Sequence, residues 1–108
     1  MSLKAPYSKI KKRDGRIVEF NPERIAIAAG KALRAAETFN DKLALTICRD
    51  VLHALSELHV EDEIPDIELV QDLVESAFVR RGLTKAAKAF ILYRAQREKV
   101  REGKKIMM

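Results

Sequence analysis

Lys12 and Arg13 stand side by side just before Asp14-Gly15, and a third cation, Arg24, follows at the opening of an apolar-periodic segment. Asp-Gly suits a two-residue hairpin turn, because glycine accepts the positive φ that such a turn requires. The turn would hold Lys12 and Arg13 at a strand end, close to the start of a helix that carries Arg24. Cations gathered at the positive end of a helix dipole form a seat for a polyphosphate. A base attached to that phosphate needs an apolar wall, and Ile10, Phe20 and Ile25 flank the same cations. The bland alternative is a solvated basic surface: Lys9, Lys11 and Arg16 extend the run into a stripe that would equally touch nucleic acid.

Other chemistries have less support. His53 and His59 show no His-x-x-x-His pair and no Ser-His-Asp order. Cys48 is the one cysteine, which excludes an intramolecular disulfide and a Cys-Cys metal site. It falls on an apolar helix face, where a thiol is inert. Glu61, Asp62 and Glu63 lack the turn glycine of a Ca²⁺ loop. No Gly-x-x-x-x-Gly-Lys-Ser/Thr run is present, so the phosphate seat is not a P-loop.

The elements that must position the cations follow from local patterns. Tyr7–Lys12 and Arg16–Phe20 read as the strands of a hairpin, too short to stand without an apolar support. Asn21, Pro22 and Glu23 open the first helix as N-cap, N1 and a first-turn acid. Its stripe of Ile25, Ile27, Ala28, Ala29, Ala32, Leu33 and Ala36 contains Gly30, which reads as a close helix contact. A second helix is predicted over 41–58, capped by Asn40 or Asp41, with Leu45, Cys48, Leu52 and Leu55 at helical spacing. Pro65 reads as the close of a short extended piece. A third helix begins near Asp66 and ends at Gly82, a natural left-handed stop. Thr84 caps a fourth, which runs into Arg101. Arg94, Arg97, Lys99 and Arg101 read as complements to that helix's dipole.

With 108 residues, 47% of them hydrophobic, the chain suits one domain with one modest core. The net charge of +5 favours anionic partners without choosing among them. Aromatics are only 6%, with no Trp, which poorly supplies a base-stacking surface for single strands. No apolar run reaches membrane-span length and no signal-peptide pattern opens the chain. Together with the lone thiol, this leads to the expectation of a cytoplasmic protein without a membrane partner. Residues 1–7 read as a leader, Met1-Ser2-Leu3 in the style of an expression scar, and 99–108 as the start of a linker to a missing downstream region.

Three stretches, in order, resemble the ATP-cone family: Lys12-Arg13-Asp14-Gly15 with Glu19-Phe20 and Arg24-Ile25; Val70-Gln71-Asp72-Leu73-Val74-Glu75; and Lys88-Ala89-Phe90-Ile91-Leu92-Tyr93-Arg94-Ala95-Gln96-Arg97. The resemblance covers nearly the whole chain, with a domain over 8–98. It implies an α+β fold: a four-helix bundle covered by an N-terminal β-hairpin or small three-stranded mixed sheet. It also implies a regulatory module rather than a catalyst, one that binds ATP or dATP with Mg²⁺. Such a module tunes the overall activity of a ribonucleotide reductase through changes in assembly. The basic run after the fourth helix is similar to the lead into the anaerobic class.

Carried over by position, Lys12 and Arg13 hold phosphates and Arg24 faces them. Ile10, Phe20, Asn21 and Ile25 border the adenine, while Val70 and Leu92 line the pocket from the third and fourth helices. Val18 stands where some members have a carboxylate, with Glu19 one residue later on the opposite strand face. Gln96 stands where some have a basic residue. The implied partners are adenine nucleotides, the catalytic domain of the parent reductase and, as a homo-oligomer, further copies of the chain; nucleic acid is not expected. The alternatives are an ATP-cone in a nucleotide-sensing transcriptional repressor of reductase genes, a basic nucleic-acid-binding helical domain, and a plain helical interaction module.

Overall fold

The hairpin closes differently from the two-residue turn that Asp14-Gly15 suggests. The structure, a computed structural model, describes residues 4–58, 60 and 63–106, with side chains through Arg97. Strands β1 (Lys9–Lys11) and β2 (Ile17–Glu19) pair antiparallel, with Lys9 opposite Glu19, Ile10 opposite Val18 and Lys11 opposite Ile17. The next pair closes through the Lys12 N–H to the Arg16 carbonyl at 2.8 Å, and the Gly15 N–H returns to the Lys12 carbonyl at 3.0 Å. Gly15 has φ 90° while Asp14 does not reach positive φ. The loop is therefore a three-residue connection, Arg13-Asp14-Gly15, with glycine in the left-handed position of a bulge. Asp14 fixes it by accepting from the Arg16 N–H at 3.1 Å and the Arg16 Nε at 2.8 Å. Arg13 thus sits in the turn itself.

The third strand is reduced to one contact. Lys11 makes a single parallel bridge to Asp66, and its N–H donates to the Pro65 carbonyl at 2.9 Å. Pro65 accepts this bond although it has no N–H to return, so the pairing does not propagate.

Four helices follow: α1 (Glu23–Ala35), α2 (Asp41–Glu57), α3 (Ile67–Arg80) and α4 (Thr84–Ile106). Asn21 and Pro22 open α1 as the sequence suggests, with a shifted formal boundary. The Asn21 side chain accepts the Glu23 N–H at 3.0 Å, and Pro22 has helical dihedrals of −64° and −22°. Asn40 caps α2 by accepting from the Lys42 and Leu43 N–H groups, and Asp66 caps α3 by accepting from the Leu69 N–H. Each cap satisfies donors that the helix cannot satisfy itself.

The helix ends use one device with two residues. After α3, Gly82 takes φ 73°, the Gly82 N–H reaches the Val79 carbonyl and the Leu83 N–H the Phe78 carbonyl. After α1, Glu37 takes φ 59°, its N–H reaches the Arg34 carbonyl and the Thr38 N–H the Leu33 carbonyl. Both are Schellman stops, but Glu37 holds a left-handed conformation that glycine adopts at no steric penalty. Helix α4 does not stop near Arg101: it continues through Gly103 to Ile106.

Each helix packs on the next, and α1 closes the ring against α4. Leu33, Ile47, Val51, Leu55, Val74, Phe78 and Phe90 lie essentially dry at the centre. Ile10 carries the hairpin onto this core, 8% exposed. Gly30 faces not a helix but the ring of Phe39 in the α1–α2 loop: a Cβ there would stand 3.3 Å from the ring edge. Residues ahead of the hairpin belong to the packing, since Ala5 and Tyr7 lie against the core and the Tyr7 hydroxyl donates to the Leu58 carbonyl at 2.8 Å. Met1-Ser2-Leu3, His59, Glu61, Asp62, Met107 and Met108 lie outside the described residues.

Candidate functional site

A cavity of about 770 Å³ opens where the hairpin covers the bundle. Its position follows from the helix directions. The first turns of α1 contribute Asn21, Arg24, Ile25 and Ala28, and those of α3 contribute Ile67, Val70, Gln71 and Val74. Both helices therefore start beside the cavity, with the positive ends of their dipoles nearest it. Helix α4 runs the other way and reaches the same end with Phe90, Tyr93 and Arg97. The hairpin supplies Ile10, Lys12, Arg13, Arg16, Val18, Glu19 and Phe20 as a lid.

The lining divides into two zones. Ile10, Val18, Phe20, Ile25, Val70, Val74 and Phe90 make an apolar floor continuous with the core. Phe90 is fixed between Phe78 and Tyr93, with ring centroids 6.2 Å and 6.3 Å away in tilted arrangements. Lys12, Arg13, Arg16, Arg24 and Arg97 make a cationic rim, with Glu19 the one acid among the described residues that line the cavity. Arg24 and Arg97 form no ion pair with any described residue. A concave site with an apolar base and a few convergent charges suits an organic anion whose charge lies at one end.

Arg13 is held in place. It pairs with Glu68 and donates through Nη2 to the Gln71 Oε1 at 3.0 Å, so α3 orients it. Glu68 in turn accepts from Arg94 of α4 at 2.7 Å, and Arg94 also reaches Asp72 at 2.9 Å and Glu75 at 2.5 Å. Burial pulls the Arg94 guanidinium down, but the hydrogen bonds it donates to Glu75 and Asp72 and the charge of Glu75 outweigh it, and its pKa is raised. Arg94 is thus a clamp between α3 and α4 rather than a dipole complement.

Of the residues that sequence and resemblance nominate, Ile10, Lys12, Arg13, Phe20, Asn21, Arg24, Ile25 and Val70 line this one cavity. Leu92 does not. It is 68% exposed and borders a separate groove between α1 and α4, with Lys31, Lys85, Lys88 and several alanines. Leu92 lies about 200° around the helix from Phe90, so both cannot face the cavity. The α4 residues that do line it, Phe90, Tyr93 and Arg97, follow an i, i+3, i+7 pattern that marks one helix face. Arg16, Val18, Glu19 and Gln71 also line it, so the paired strand places both Val18 and Glu19 at the cavity.

Cys48 is fully buried, donates to the Pro22 carbonyl at 3.3 Å, and has its pKa pushed up by burial to about 11. Among the described residues, no group of three His, Cys, Asp or Glu side chains is placed to hold a metal ion. No described helix is long and apolar enough to cross a membrane.

A hairpin lid over a four-helix ring, with a half-apolar, half-cationic cavity between them, defines a small α+β module. The family model for the ATP cone domain matches residues 8–99, and the chain belongs to the ATP-cone family. It is 37% identical over 104 residues to the ribonucleoside-diphosphate reductase subunit alpha of Chlamydia pneumoniae, covering 86% of this chain and 10% of that protein. It is 33% identical over 101 residues to the vitamin B12-dependent ribonucleoside-diphosphate reductase of Thermoplasma acidophilum, covering 89% and 13%. The corresponding Mycobacterium tuberculosis enzyme is 30% identical over 100 residues, covering 93% and 14%. The chain therefore spans between a tenth and a seventh of the length of these relatives.

Proposed function

We propose that the chain is an allosteric module that binds ATP or dATP in the hairpin-covered cavity and tunes the overall activity of a ribonucleotide reductase through changes in assembly. Regulation, not catalysis, is its role, and its partners are adenine nucleotides and the catalytic domain of the parent enzyme. The observation that carries this reading is the division of one cavity into an apolar floor and a rim bearing Lys12, Arg13, Arg24 and Arg97 at the start of α1. The purine lies on Ile10, Phe20, Ile25, Val70 and Phe90; the phosphates face the cations and the α1 N-terminus. Mg²⁺ accompanies the phosphates, which supply its oxygen ligands themselves. The reductase relatives favour this role over the repressor, and none of the three is named as an anaerobic enzyme. The cations gather around a concavity rather than along an open stripe, which favours a small anion over nucleic acid.

Thermal unfolding with nucleotide tests the proposal. A ligand at about 100 times its Kd stabilises the folded state by about 2.7 kcal/mol. ATP or dATP with Mg²⁺ is expected to raise the melting temperature, and adenosine to raise it less. Lys12→Ala and Arg24→Ala are expected to melt like the parent without ligand and to lose most of the shift. A melting curve unmoved by millimolar ATP and dATP would refute the proposal.

A further inference from the structure

We propose that Glu68 is a built-in anionic competitor that determines which ligands the cavity accepts. Its carboxylate holds Arg13 until a phosphate group takes its place. The inference rests on the nucleotide reading above and adds a specificity-determining residue outside the cavity lining.

Glu68 stands in the first turn of α3 and bridges two guanidinium groups with its two oxygens. Oε1 pairs with Arg13 Nη1, on the cavity rim, and Oε2 accepts from Arg94 Nη2 at 2.7 Å. The pair with Arg13 is exchangeable: the side chain of Glu68 is 48% exposed and that of Arg13 23%, so water and ligand both reach them. Each partner has another contact when they separate. Arg13 stays oriented by Gln71 at 3.0 Å, and Glu68 stays on Arg94. Exchange therefore replaces one carboxylate by a phosphate oxygen on a guanidinium that remains in position. A ligand whose phosphates reach Arg13 must displace Glu68 and gains a charge-assisted bond in return. A ligand without phosphates leaves the Arg13–Glu68 pair intact and gains nothing there. Glu68 consequently leaves adenine compounds without phosphates untouched and sets the affinity scale for polyphosphates, which must take Arg13 from it. Asp72 and Glu75 hold Arg94 from the same face of α3 and serve as the comparison.

Calorimetric titrations of ATP and of adenosine test this in the parent, Glu68→Gln, Arg13→Ala and the double variant. Glu68→Gln is expected to tighten ATP about fivefold, the upper range for a solvent-accessible ion pair. Adenosine binding is expected to stay unchanged, and the ATP gain to vanish in the Arg13→Ala background. Glu75→Gln, which loses an Arg94 contact of the same kind, is expected to leave ATP affinity unchanged. Glu68→Ala repeats the measurement should the glutamine amide itself bond Arg13. ATP affinity that is equal or weaker in both Glu68 variants overturns the proposal, as does a gain that persists without Arg13. If the parent itself does not bind ATP, the nucleotide reading fails and the filter with it; ATP binding without the Glu68 effect overturns the filter alone.

Discussion

Replacing Arg94 by Met is expected to loosen the wall between α3 and α4 without touching the cavity lining. The Arg94 side chain is 14% exposed and serves Glu68, Asp72 and Glu75, which are 48%, 66% and 27% exposed. Solvent-accessible pairs contribute about 0.2–1 kcal/mol each. Asp72 belongs at the bottom of that range and Glu75 at the top, because solvent screens the first far more. Removal also leaves three carboxylates at helical spacing on one face of α3, where like charges repel. Methionine retains most of the apolar stem packing. The expected loss is about 2 kcal/mol, or roughly 8–14 °C in melting temperature for a domain of this size. Arg94→Lys keeps the charge but not the planar fork, and about half of the loss is expected. Urea and thermal unfolding read both quantities. An Arg94→Met protein melting within about 2 °C of the parent would refute the clamp, since even the weakest sum of three such pairs exceeds that.

Glu37→Gly is expected to stabilise the fold by about 0.5–1 kcal/mol in urea unfolding, because glycine removes the left-handed strain of the α1 stop. Gly82→Ala at the matching stop of α3 is expected to cost about 1 kcal/mol by the same measurement. Cys48 is expected to resist thiol reagents in the folded protein at pH 8, since burial raises its pKa to about 11. A folded pKa above the unfolded value of about 8.5 means that the unfolded chain loses this proton first. The stabilising contribution is therefore complete below about pH 8.5 and declines as pH rises toward 11, so parent melting temperatures fall more steeply there than those of Cys48→Ala.

What could be read in the sequence was whatever is decided locally. Asn40, Asp66 and Gly82 act within a turn of their own positions, and each appears where capping chemistry places it. The Lys12-Arg13 pair and Arg24 are joined by a short hairpin, so their meeting at one cavity needed little long-range information. Asp14-Gly15 misled because the same dipeptide closes both a two-residue turn and a three-residue bulged loop; the choice depends on how the strands pair. Leu92 misled because an apolar residue does not reveal which helix face meets the bundle. Phe90, Tyr93 and Arg97 carried the correct spacing, but only the packing of α4 beside the hairpin distinguishes their face from that of Leu92. The Arg94 clamp joins residues 19 to 26 positions apart, and no periodicity encodes those partners.

The central claim is that the hairpin-covered cavity is the nucleotide site. Titrating isotope-labelled protein with ATP and Mg²⁺, and following backbone amide resonances, tests it most directly. Shifts are expected to concentrate at Ile10–Phe20, the first turns of α1 and α3, and Phe90 to Arg97 on the cavity face of α4, with Cys48 at the bundle centre little changed. Shifts confined to the Lys31, Lys85, Lys88 and Leu92 groove, or none at saturating ATP, would contradict it.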